Sequence, residues 1–460
     1  GGSVEPGGSG AGAIKITAGG KLTIGKSIFA NGGNGIADST NDAAKSGAGG
    51  SGGAIFLKAN KLEISTNALI SANGGTGAPS TTTGGNNYAT DGGGTGSAAG
   101  GGGRIYLEGT SSFVNHGSST NANITANGGT SQANSGTPRS GQDGTVRIVR
   151  PQVSSLNFTS GTLTINTSTA EISHTDGSFL LGELSDKTFT ATDGASYPYK
   201  IATFTADTIN LGSGVVVNIT GENALSLRTR NHGNLILGTT INVSGGAATE
   251  GPYAGGAGIA GGFDGGLPDT NGYGPGRGKA KSVISGTNEQ GGGAAYGGRG
   301  YEADSAYSLA YSSADLTNHL LGGSGGGGGD LYPGGAGGGA IELLAHGDGV
   351  LTLSGSIKAN GGDASRAHAE SGGGGSGGAI RLEGGSVSIS GILQAKGGNG
   401  LTATPGGGGR IAIKTNGNLT LGTINLDGHR PGTLHISGST PTAALSHSSG
   451  TLTIDTTYGY

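Results

Sequence analysis

Residues 52–75 read GGAIFLKANKLEISTNALISANGG and hold three short apolar alternations, Ala54-Ile55-Phe56-Leu57, Leu62-Glu63-Ile64 and Ala68-Leu69-Ile70. Each has the period-2 pattern of a brief strand, and small or turn-prone residues separate them. The unit closes on Ala72-Asn73-Gly74-Gly75. Asn and Gly tolerate positive φ, so the spacing predicts a turn that ends the third strand. A glycine-rich loop follows and the unit begins again. The pattern predicts one coil of a three-strand β-solenoid around a narrow apolar interior.

Composition supports that expectation. The chain has 460 residues, of which 107 are Gly, with 32% hydrophobic and 5% aromatic residues. Gly is far above the ordinary ~7%. The apolar content is too low for an ordinary large globular core, yet it is gathered into regular short runs, which argues against disorder. A repeat architecture buries a thin core one unit at a time. Gly does not recur at every third position, which excludes collagen.

Charged residues make up 12% and the formal net charge is −4. No basic stripe suggests a nucleic-acid partner. The chain has no Cys, so neither a disulfide nor a thiolate metal site can form. A Cys-free chain rich in Ser, Thr, Asn and Gly fits a bacterial protein that is exported unfolded. No apolar run of ~18 residues is present, so no membrane-spanning helix is expected. The sequence shows no signal peptide and no Met. It is expected to be an internal piece of something longer.

Along the chain, similar units start at Ala13, Ala54 and Arg104 within residues 1–143. Residues 144–244 are denser in β-branched strands, including Thr145-Val146-Arg147-Ile148 and Val215-Val216-Val217. Residues 245–339 form a Gly/Tyr-rich insertion carrying Tyr253, Tyr273, Tyr296, Tyr301, Tyr307, Tyr311 and Tyr332. Within it, residues 304–321 could form a short helix with Leu309, Leu316, Leu320 and Leu321 as its apolar positions. Repeat units resume over 340–448, and residues 449–460 begin a further module or supply an exchanged strand.

A longer repeat is superimposed. Gly-Gly-Ala-Ile-Phe-Leu at Gly52 matches Gly-Gly-Ala-Ile-Arg-Leu at Gly377, and the Gly run ending Arg104-Ile105 matches the one ending Arg410-Ile411. Gly144-Thr-Val-Arg-Ile matches Gly432-Thr-Leu-His-Ile, 288 residues on. Ser-Gly-Thr-Leu-Thr-Ile at Ser160 recurs at Ser449. Tandem modules in fixed order are a fibre-building plan.

Two readings of the glycine runs stand side by side. They are either solvated linkers or extended, polyglycine-II-like strands, which can approach and bond laterally because no side chain intervenes.

No motif carries chemistry convincingly. The Gly-Gly-x-Gly stretches lack Asp at the position that calcium-binding repeats require. No cofactor is therefore expected, and calcium only incidentally. Gly20 and Gly25-Lys26-Ser27 have P-loop spacing, but the intervening Lys21-Leu22-Thr23-Ile24 reads as a strand. His368-Ala369-Glu370 is the one tight His/carboxylate pair, in a Gly/Ser loop. Glu63, Glu108, Glu342 and Glu383, with Lys15 and Lys414, read as an outward polar row of stacked strands rather than as paired catalytic carboxylates. No catalytic residue is assigned, and the chain is read as non-enzymatic. The seven insertion tyrosines are the interaction candidates, since Tyr has a flat apolar face and a polar tip. The alternative is that they anchor their own loop.

The unit Gly-Gly-Ala-Ile-x-Leu…Leu-x-Ile…Ile-x-Ala-Asn-Gly-Gly, at Gly52 and in close form at Gly338 and Gly377, resembles the glycine-rich repeats of large bacterial surface proteins. It is similar in style to filamentous-haemagglutinin-type adhesins. The resemblance implies a right-handed parallel β-helix, a cell-surface or extracellular location, and adhesion or scaffolding. The expectation is thus an all-β, right-handed parallel β-solenoid with long, polyglycine-II-like loops, self-associating into a fibre or sheath. The alternative is a carbohydrate-binding adhesin or a phage tail-fibre segment.

Overall fold

The computed structural model describes residues 6–36, 47–78, 98–117, 121–130, 140–150, 152–250, 253–280, 282–285, 288–301, 309–365, 370–400, 404–438 and 451–455. Two compact units divide the chain: Gly1–Pro151 with Asp176–Ser178, and Gln152–Thr175 with Phe179–Tyr460. Every regular element among the described residues is a strand, and no helix there is long and apolar enough to cross a membrane.

In the first unit, Ala13–Ile24, Ala54–Ile64, Arg104–Asn115 and Thr145–Val149 form a parallel four-stranded sheet in that order. The first two alternations of the repeat are therefore one bent strand, not two. Ala59-Asn60-Lys61 contains nothing that stops a strand, and the register only slips between Ala59 and Lys61. Ile55 lies opposite Ile14 and Ile105, and Leu57 opposite Ile16 and Leu107. Ile55, Leu57, Leu62, Ile64 and Ile70 are buried, as alternation requires.

The asparagine that closes each unit does not adopt the expected left-handed turn; neither Asn73 nor Gly74 has positive φ. It serves as a rung instead. Asn31 Oδ1 accepts from the Asn73 N–H at 2.8 Å, and Asn73 Oδ1 accepts from the Asn127 N–H at 2.8 Å. Asn360 Oδ1 accepts from the Lys396 N–H at 3.0 Å in the second unit. A short amide side chain reaches the next copy of its own position, satisfying a backbone donor that no sheet pairs.

The second unit has two eight-stranded sheets. One runs Phe179–Leu181, Glu171–His174, Leu156–Asn166, Ile209–Thr220, Leu235–Leu237, Val350–Leu353, Ser386–Ile389, Leu419–Thr420. The other runs Glu183–Thr190, Ser196–Ala206, Ala224–Thr229, Ala340–Leu344, Ala379–Gly384, Arg410–Thr415, Thr433–Gly438, Thr451–Asp455. A four-stranded parallel sheet begins at Thr240–Asn242. Leu227, Leu343, Leu382, Ile413 and Ile436 share one buried cluster with residues of all three.

These sheets overturn the expected right-handed parallel β-solenoid. Both large sheets are mixed, since Leu156–Asn166, Glu171–His174 and Phe179–Leu181 pair antiparallel, as do Glu183–Thr190 and Ser196–Ala206. The six sheets among the described residues are open, each with two ends, rather than closed on themselves. The cause lies in residues 152–206. Their β-branched runs are joined by tight turns, with Ala170 and Gly194 at positive φ, so the chain doubles back as hairpins. Two smaller expectations also fail. Residues 309–321 are not helical, because Ser312 and Leu316 have φ of 63° and 54°. Thr451–Asp455 is not exchanged; it pairs parallel with Thr433–Gly438 of its own chain.

The glycine runs form a buried array outside the sheets. The N–H groups of Gly323, Gly326 and Gly329 donate to Gly338, Gly335 and Tyr332, while those of Gly325 and Gly328 donate to Tyr273 and Thr270. Gly327 donates to Gly292 and accepts from Gly373. Donors thus point to a new neighbour with a three-residue period, the period of an extended threefold strand. Such backbones come this close only where no Cβ stands between them.

Candidate functional site

The structure does not gather the six described tyrosines of the insertion into one site. Tyr253 pairs with Tyr332 at 6.3 Å between ring centroids, Tyr301 meets His429 edge-on at 5.1 Å, and Tyr273 is exposed. Tyr307 lies outside the described residues, as does His368. Tyr296 and Tyr311 form the buried pair, with centroids 4.7 Å apart. Both are buried, with Leu316, Leu320 and Leu321, against the outer face of the sheet at Ala340, Ala379 and Ala412. Residues 309–321 therefore form a strap across that face.

Arg410 fastens the strap, a role the sequence did not reveal. Its guanidinium lies 5.4 Å from the Tyr296 ring centre. Its Nη2 and Nε donate to the Tyr311 carbonyl at 2.8 and 3.1 Å, and its Nη1 donates to Thr433 Oγ1 at 2.9 Å. Burial lowers the Arg410 pKa and pushes the Tyr296 and Tyr311 hydroxyls well above the usual phenol range.

Beside the strap runs a row of alternating charge. Glu342, only 2% exposed, accepts from Ser226 Oγ at 2.7 Å and from Arg228 Nε at 2.8 Å, and it pairs with Arg381. Arg381 also reaches Glu383 at 2.6 Å, and Glu383 meets Lys414 at 3.1 Å. The expected polar row thus exists for Glu342, Glu383 and Lys414. Glu63 and Glu108 belong to the first unit instead. Lys21, then His116, hold the Glu63 carboxyl below its ordinary range, while Lys58 and the Tyr106 hydroxyl do the same for Glu108.

Glu342→Ala leaves two guanidinium groups facing a buried space, one of which, Arg381, is itself largely buried. The expected loss is about 3 kcal/mol by urea unfolding, with Glu342→Gln losing less because it keeps an acceptor. Equal stabilities for Glu342→Ala and the parent would show the row to be ornamental.

Next to this row a cleft of about 670 Å³ opens between the strap and the sheet. Its floor includes Arg381, Ala412, Lys414 and His435; its roof includes Ser313, Asp315 and Thr317. Asp315 is partly buried, which raises its carboxyl pKa, but hydroxyl and backbone donors at Ser313 and Thr317 and the nearby His435 outweigh burial and lower it.

Among the described residues no group of three or more His, Asp or Glu is placed to hold a metal ion. The P-loop-like spacing lies along the strand Ala13–Ile24 and the short segment after it, with no helix to face a phosphate. Compared with known proteins, the chain matches no family model, no curated protein and no solved structure.

Proposed function

We propose that this is a non-enzymatic structural protein of an extracellular or cell surface, built from tandem modules and self-associating into a fibre or sheath. One observation carries the reading: the same parallel ladder occurs twice in the same register. In the first unit Ala13, Ala54, Arg104 and Thr145 are neighbours, and in the second Ala340, Ala379, Arg410 and Thr433. A motif that stacks on its own kind within one chain has the complementarity to stack between chains. The strand Ala13–Ile24 supports this. It ends its sheet, and its inward Ile14 and Ile16 are only half-buried, whereas Ile55 and Leu57 one strand inward are covered. Among the described residues no strand covers that row, and a further copy of the ladder, from a neighbouring module or another chain, fits against it. The resemblance of the repeats to bacterial surface proteins supports the location.

Sedimentation velocity and electron microscopy test the proposal. The expected result is concentration-dependent assembly into filaments, suppressed by Ile14→Lys with Ile16→Lys. A monodisperse monomer at all concentrations overturns it.

A further inference from the structure

The cleft under the strap departs from the repeat in a way that marks a built site. In the first unit the outer row of the ladder is Lys15, Phe56, Tyr106 and Arg147. Phe56 and Tyr106 stack with centroids 4.9 Å apart and planes 4° from parallel, with Lys15 and Arg147 5.3 and 5.9 Å from their ring centres. That row closes on itself. In the second unit the same positions are Glu342, Arg381, Ala412 and His435. The inward residues keep their apolar character, but the place of Tyr106 is taken by Ala412. A ring's volume is vacated there; Tyr296, Tyr311 and the strap pack onto Ala412, which is 3% exposed, and the strap roofs the cleft that remains beside it.

The chemistry of the gap identifies what would suit it. Arg381 is tied to Glu342 and Glu383, and Lys414 to Glu383. Asp315 on the roof lies within the electrostatic reach of His435 on the floor. With Arg228 on Glu342, three carboxylates (Glu342, Glu383, Asp315) stand against three fixed cations (Arg228, Arg381, Lys414), so the formal charges around the cleft sum to zero. Lys414 supplies donors, Asp315 acceptors, and Asn416 and His435 either, lining a space of about 670 Å³. That size lies within the range of small-ligand sites. A ligand whose groups both donate and accept, and which carries no charge, matches this lining best.

We infer that the cleft between the strap and the outer sheet face binds a neutral, hydroxyl-rich oligosaccharide. This site is separate from the edge strand used in assembly, so the two proposals fail independently.

The test titrates the full chain by calorimetry with cellohexaose, maltohexaose and a hexagalacturonate. One of the neutral hexasaccharides is expected to bind with a Kd of about 1 mM or tighter. Ala412→Tyr, which restores the ring of the first unit, is expected to weaken binding at least ~tenfold. His435→Ala and Asn416→Ala change side chains on the cleft wall outside the core and are expected to weaken it several-fold. These two keep the test decisive if Ala412→Tyr displaces the strap. Absence of binding by both neutral sugars, binding unchanged in His435→Ala and Asn416→Ala, or preference for the hexagalacturonate each overturns the inference.

Discussion

Gly337→Ala is expected to be among the most damaging single substitutions in the chain, although it adds one methyl group. A Cβ at Gly337 would meet the backbone oxygen and carbon of Gly323 well inside the 3.0 Å that real Cβ atoms keep. The neighbour is main chain, so no side chain can swing aside. To make room, residues 322–325 and 336–338 must part. That breaks the hydrogen bonds from Gly323 to Gly338 and from Gly337 to Phe263. Overpacking and the orphaned buried groups together imply a loss of about 4 kcal/mol. Gly375→Ala, which meets Ala336 main chain, is expected to behave alike. Gly19→Ala and Gly20→Ala have open space around the added atom and are expected to be neutral within about 0.5 kcal/mol. Urea unfolding followed by tyrosine fluorescence separates the cases. A Gly337→Ala protein as stable as Gly19→Ala would mean that the array is not close-packed.

That contrast explains what could be read from the sequence. Period-2 alternation marks strands wherever one face is buried, so the alternations at Ala54–Leu57, Leu62–Ile64 and Ala379–Leu382 were legible, with their Ile and Leu inward, but not that the first two are one strand. The 288-residue offset was legible because Gly-Thr-Val-Arg-Ile at Gly144 and Gly-Thr-Leu-His-Ile at Gly432 are near-literal repeats, and the Gly-Gly-Ala-Ile and Gly-Arg-Ile landmarks recur in the same order. The path taken through residues 152–206 was not. Alternation says that a strand exists but not whether its partner runs parallel or antiparallel, and turns at Ala170 and Gly194 decided for hairpins. Composition likewise grouped tyrosines that the fold, among those described, does not bring to one site. Nothing local distinguishes a buried pair such as Tyr296 and Tyr311 from an exposed Tyr273. What separates them is the face they meet, where Ala340, Ala379 and Ala412 leave room for rings.

Arg410→Ala is expected to release the strap while leaving the sheets beneath it intact. The repeat supplies its own control, because Arg104 holds the same register position in the first unit and is exposed. Removing the Arg410 side chain takes the guanidinium from the Tyr311 carbonyl and from the Tyr296 face. It also leaves a cavity where Arg410 is 7% exposed. The expected cost is about 3 kcal/mol, against less than about 0.5 kcal/mol for Arg104→Ala. Arg410→Lys keeps the charge but has no planar fork to bond Tyr311 through two nitrogens, and is expected to fall between them. Because the damage is local, hydrogen exchange should quicken in residues 309–321 well before it does in Ala379–Gly384 and Arg410–Thr415. Uniform loss of protection across the second unit would show that the strap is a cooperative part of the core rather than a cover laid over it. The cleft would then share its stability, since its roof and floor would open only together.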